Sequence, residues 1–148
     1  MTKRRITAAE AQYNETRANV LKRVDAEYVA DAPFVFANRI GVTAALSRME
    51  LFKKVAEVPG AIIECGVYKG NSLMLYMHLS MILEPYAINR SIIGFDTFEG
   101  FQSIDKKEDP ADVNETMFSD TDQSLIQDMI DANDLLRPVN RIPRCELV

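Results

Sequence analysis

The chain is 148 residues long, sufficient for one domain with its own core, and its 47% hydrophobic and 26% charged content excludes wholesale disorder. A net charge of −5 argues against a nucleic-acid backbone or an anionic membrane as the main partner. The two cysteines, Cys65 and Cys145, lack metal-ligand spacing, and the simplest reading is a reduced, cytoplasmic protein.

In chain order, residues 3–5 are basic like the start of a signal peptide, but residues 6–15 are too polar to continue one. Thr7-Ala8-Ala9-Glu10 is a capping-box pattern. It predicts a helix running to about Tyr28, with Val20, Leu21, Val24 and Tyr28 on one face. Val42, Ala45, Leu46, Met49, Phe52, Val55 and Ala56 repeat at helical spacing and predict a second helix, stopped by Val58-Pro59-Gly60. Residues 1–58 are therefore expected to be a helical segment ahead of the main domain, residues 59–148.

The pattern then changes. Ala61-Ile62-Ile63-Glu64-Cys65 is a short apolar run flanked by glycines and reads as a buried strand. Residues 66–71 form a tight turn, and residues 72–84 have helical length and are apolar nearly all round, until Pro85. Met74, Met77 and Met81 read as core filling, and His78 as a packed core histidine. The apolar run is well short of the ~20 residues of a membrane span.

Ser91-Ile92-Ile93-Gly94-Phe95-Asp96 reads as a second buried strand, completing a parallel βαβ unit with a right-handed crossover. Residues 97–114 are polar and loop-like, with Asp105, Glu108, Asp109 and Asp112 as a solvated acidic group. A third helix is predicted over residues 120–133, with Leu125, Ile126, Met129 and Ile130 facing the core. Asp120 and Asp122 stand near its start, where the helix dipole favours negative charge. Cys145-Glu146-Leu147-Val148 begins a third strand. The expected class is α/β: a partial Rossmann-like parallel sheet, strands one to three, with helices on both faces.

Ligands of open α/β sheets bind beyond the carboxyl ends of the strands. Two features fall there, the turn Glu64-Cys65-Gly66-Val67-Tyr68-Lys69-Gly70-Asn71-Ser72 and the strand-tip Asp96. Gly66 lets the backbone turn and approach a ligand, and Gly70 permits close packing at the helix start, whose amides suit a carboxylate or phosphate. A carboxylate at Asp96 can accept both hydroxyls of a ribose. The Gly-x-Gly-x-x-Gly dinucleotide fingerprint is not met, because Glu64 and Lys69 replace its outer glycines and Tyr68 adds a large ring. This disfavours NAD and FAD. S-adenosylmethionine has no phosphates, and its cationic groups suit an acidic residue such as Glu64.

Pro59-Gly60-Ala61-Ile62-Ile63-Glu64-Cys65-Gly66-Val67-Tyr68-Lys69-Gly70 resembles the first motif of the macrocin O-methyltransferase (TylF-like) family. Phe95-Asp96-Thr97-Phe98-Glu99-Gly100-Phe101 resembles its second signature, and Ser47-Arg48-Met49-Glu50-Leu51-Phe52 the helix before the first motif. The resemblance covers roughly residues 40–148 and implies a class I methyltransferase fold that binds S-adenosylmethionine. By position, Glu64, Gly66, Tyr68, Gly70 and Ser72 would line the methionine end of the cofactor. Asp96 would hold the ribose, with Thr97 and Phe98 beside it.

Family members are longer, and their magnesium ligands and general base lie in the later part, so neither is matched here. The implied activity is O-methylation of a hydroxyl on a sugar or similar small metabolite. The chain is then expected to be a fragment without the catalytic half, its first strand carrying an open apolar edge. A non-catalytic cofactor-binding or interaction module is the alternative, and an NAD-dependent enzyme the third reading. The expected partner is a small-molecule substrate, with no nucleic acid and no membrane; homo-oligomerisation is left open.

Overall fold

The computed structural model describes residues 6–105 and 107–148, and the chain divides between Ala44 and Ala45 into two units. In the first unit, α1 (Ala8–Leu21) opens on the predicted capping box. The Thr7 hydroxyl accepts the Glu10 N–H at 3.2 Å, and the Glu10 carboxylate accepts the Thr7 N–H at 2.8 Å. The helix does not reach Tyr28. Asp25 starts a new one, α2 (Ala26–Asp31), by accepting the Tyr28 N–H at 2.8 Å. A side chain that bonds the backbone this way competes with helix continuation, which apolar spacing does not register.

The short α3 (Pro33–Phe36) follows, with proline at its first turn. Phe36 is buried, meets the Tyr28 ring edge-on at 5.9 Å, and its carbonyl accepts Arg17 Nε–H at 3.0 Å. Next, α4 (Arg39–Val55) coincides with the second predicted helix.

In the second unit, β1 (Gly60–Cys65), β2 (Arg90–Phe95) and β3 (Cys145–Leu147) form a parallel sheet in the order β1-β2-β3. The connection from β1 to β2 runs through α5 (Asn71–Leu83), and that from β2 to β3 through α6 (Gln123–Asp134). Ile62 stands opposite Ile92, and Ile63 opposite Ile93. Ile92, Cys145, Leu73, Met77, Ile126 and Ile130 make one buried cluster with Val67, joining β2, β3, α5 and α6. Burying a side chain such as Leu73 or Ile92 contributes roughly 1.5–3 kcal/mol.

Burial alternates along β2, where Arg90, Ile92 and Gly94 are buried while Ser91 and Phe95 are exposed. β1 departs from the expected buried strand. It pairs with β2 on one side, and Ile63 is 61% exposed. His78 is likewise exposed rather than packed, because α5 buries the opposite stripe of Leu73, Met77 and Ser80. On α6 the buried residues are Ile126 and Ile130, whereas Leu125 and Met129 stand in solvent.

Arg90 joins the elements at the amino end of the sheet. Its Nε donates to Glu84 at 2.7 Å, Nη1 to the Gly60 carbonyl at 2.8 Å, and Nη2 to the carbonyls of Val55 and Val58 at 2.8 and 2.9 Å. One guanidinium thus satisfies the end of α4, the start of β1 and the end of α5 together. Among the described residues, no helix is long and apolar enough to cross a membrane.

Candidate functional site

At the carboxyl end of the sheet, β1 runs into a turn whose geometry depends on two glycines. Gly66 has φ 89°, and an added Cβ would meet nothing within 4 Å, so bare backbone faces open space. Gly70 caps α5 with φ 77°, and a Cβ there would stand 3.0 Å from Ile126. Both the backbone conformation and the approach of α6 therefore require glycine. No side chain caps α5, and the first amides of a helix have no partner within it.

Asp96 follows β2 directly and ties two turns together. Its Oδ2 accepts the Tyr68 N–H at 2.8 Å, and its Oδ1 accepts the Phe98 N–H at 2.8 Å. Each carboxylate oxygen keeps acceptor capacity after one such bond. The backbone around it is braced on both sides: Gly66 N–H donates to the Phe95 carbonyl at 2.8 Å, and Asp96 N–H to the Val148 carbonyl at 3.2 Å. Val148 N–H in turn donates to the Gly94 carbonyl at 2.8 Å.

These residues border a crevice of about 560 Å³ lined by Gly66, Tyr68, Asp96, Thr97, Phe101 and Phe118, among others. Of the residues singled out in sequence, Gly66, Tyr68, Asp96 and Thr97 come together here. The others lie around it. Phe98 packs against the buried cluster, Gly70 against Ile126, and Glu64 feels the Ser72 side chain at the start of α5. Glu64 Oε2 is buried without a hydrogen-bond partner, and burial pushes the carboxyl above its ordinary range, against the opposing effects of Ser72 and Arg48. The two carboxyls of Glu64 and Asp96 thus do not line the same crevice wall.

Three non-glycine residues among those described have positive φ, and all are aromatic: Tyr68 at 50°, Phe98 at 56° and Phe118 at 65°. Such a conformation costs roughly 1–3 kcal/mol per residue and persists where neighbours enforce it. The Tyr68 ring meets Phe118 edge-on at 5.2 Å, and Phe118 meets Phe101 at 5.7 Å. Phe101 and Phe118 were not assigned a role from sequence. Phe101 closes the second motif, whereas nothing in the residues around Phe118 signals it.

Asp120 also departs from expectation. The cap of α6 is Asp122, which accepts the Leu125 N–H at 3.1 Å. Asp120 instead accepts the Tyr68 hydroxyl at 2.9 Å and pairs with Lys69 Nζ at 2.7 Å. Bonding to Lys69, then to Tyr68, holds its carboxyl below the ordinary range.

A family model described as macrocin-O-methyltransferase (TylF) matches residues 2–141. Among solved structures, the crystal structure of CalS11, a calicheamicin methyltransferase, superposes with a TM-score of 0.83 at 27% identity. An apo structure of CalS11, titled TDP-rhamnose 3′-O-methyltransferase, gives 0.71 at 24% identity and speaks for the fold alone. Each alignment covers 96% of this chain, which spans 58% and 55% of those two chains. No curated protein sequence matches.

Proposed function

This chain belongs to the macrocin O-methyltransferase (TylF) family, and from that membership we propose that it binds S-adenosylmethionine for methyl transfer to a hydroxyl of a sugar or similar small metabolite. The acceptor class follows the O-methyltransferase family, and CalS11, 27% identical, is titled a calicheamicin methyltransferase. When bound, the cofactor supplies a methyl group activated by its sulfonium.

The observation that carries the reading is Asp96, fixed by two backbone amides at the rim of a crevice of about 560 Å³. Its remaining lone pairs accept the ribose hydroxyls, each charge-assisted bond contributing roughly 1.5–3 kcal/mol. Gly66 gives the ligand access to bare backbone. Glu64 does not line that crevice, but its buried Oε2 lacks a hydrogen-bond partner, which an ammonium group reaching it would supply. Ser72 and Gly70 shape the α5 start, and Thr97 and Phe98 the turn beyond Asp96.

In this reading the residues assigned here serve the donor side of the transfer, and none of them is assigned as the general base. Among the described residues no three His, Cys, Asp or Glu side chains converge as metal ligands. Placement of donor and acceptor, together with proton removal from the hydroxyl, supplies the rate gain.

Calorimetric titration with S-adenosylhomocysteine tests the donor site. Binding is expected for the wild-type chain, weakened on the order of 100-fold in Asp96→Ala. No heat from the folded chain, or tighter binding of NADH, would overturn the reading.

A further inference from the structure

We infer that Asp120 is a positioning residue for the donor crevice, holding the turn between β1 and α5 through Tyr68 and Lys69. The inference rests on the donor-site reading above. The two Asp120 oxygens are divided between consecutive residues of that turn, Oδ1 on the Tyr68 hydroxyl at 2.9 Å and Oδ2 on Lys69 Nζ at 2.7 Å. The Lys69 ammonium also lies 5.1 Å from the centre of the Tyr68 ring. Asp120 is not engaged in capping α6, because Asp122 does that, bonding Leu125 N–H at 3.1 Å and Ser124 Oγ at 2.7 Å.

Tyr68 needs such a hold. A tyrosine at φ 50° stays there only when its surroundings enforce the conformation. Three contacts do so: its amide on Asp96, its ring on Phe118 and its hydroxyl on Asp120. Phe118 and Asp120 both belong to the segment 114–122, which is pressed against the turn after β2. An added Cβ on Gly100 would lie 2.3 Å from the Glu115 carbonyl oxygen and 2.9 Å from that of Met117.

The consequence is a relay. Asp120 fixes the Tyr68 ring, the ring fixes its backbone, and the Tyr68 amide orients the Asp96 carboxylate. Lys69 and Asp120 are 55% and 66% exposed, and exposed ion pairs contribute little to global stability. The effect of losing Asp120 therefore belongs in ligand affinity and local order, not in the melting temperature.

The experiment uses the 148-residue chain with Asp120→Ala, Tyr68→Phe and the double variant, titrated with S-adenosylhomocysteine. Each single substitution should raise Kd on the order of fivefold at an unchanged Tm. The double should lose no more than the worse single, and Asp120→Asn, which still accepts the Tyr68 hydroxyl, should recover most of the loss. Amide hydrogen exchange without ligand should quicken at Tyr68 in Asp120→Ala and stay unchanged at Ile92. Wild-type affinity and exchange in Asp120→Ala, or additive losses in the double, would overturn the inference. If the wild-type chain gives no heat, the donor-site reading fails, and exchange at Tyr68 still decides whether Asp120 holds the turn.

Discussion

Glu64 carries a buried carboxyl oxygen with no hydrogen-bond partner, and this has a pH consequence. Burial raises its folded-state pKa, so the folded chain holds the proton more tightly than the unfolded one. The stability contributed by the protonated group is fully present below about pH 4.5 and is lost as pH rises through the folded-state value. Glu64→Gln should therefore melt close to wild type near pH 4 and above it at pH 7, as read by scanning calorimetry. A variant that melts lower at pH 7 would show that the carboxylate is satisfied when ionised. At this scale the sequence was most informative where a residue type has few uses. Gly66 and Asp96 stand at strand tips, where a bare backbone and a lone carboxylate have clear chemistry. Phe118 and Asp120 were out of reach, since each acts on Tyr68 from about 50 residues away across an aperiodic loop.

Between elements, Arg90 does what no apolar contact could. Its buried guanidinium satisfies Glu84 and the carbonyls of Val55, Val58 and Gly60. Arg90→Ala would remove a buried donor from all four, leaving Glu84 with only the Ser80 hydroxyl at 3.1 Å and the Val55 carbonyl with only the Val58 N–H at 2.9 Å. Removing one partner of a buried pair costs about 3–5 kcal/mol. A urea midpoint shift of that size is expected, and a loss below about 1 kcal/mol would mean that water replaces the side chain. The strands and α5 were legible to within a residue because glycine and proline punctuate them. The break between α1 and α2 was not. Val20, Leu21, Val24 and Tyr28 keep helical spacing across it, and only the Asp25 side chain, bonded to the Tyr28 N–H, marks the new start. Nor did the sequence reveal Arg90, since a single arginine at a strand start looks like a surface residue until the carbonyls around it are placed.

For the molecule as a whole, the α/β class followed from the alternation of buried runs and helical spacing, whereas the exposure of β1 did not. A short apolar run reads as buried whether or not another element covers it. In the described structure β1 has one strand neighbour, and Ile63 is largely exposed. An unprotected apolar strand favours pairing between copies. Sedimentation should therefore show concentration-dependent association, reduced in Ile63→Lys, and a wild-type chain that stays monomeric at all concentrations would contradict this. The ladder at the other side of β2 has a different meaning. Val148 is bonded to Gly94 and, through its carbonyl, to the amide of Asp96. The third strand and the Asp96 backbone are thus mechanically one piece. Any measurement of ligand affinity doubles as a gauge of how firmly β3 is docked against β2. A loosened β3 would register at the crevice before the rest of the sheet came apart.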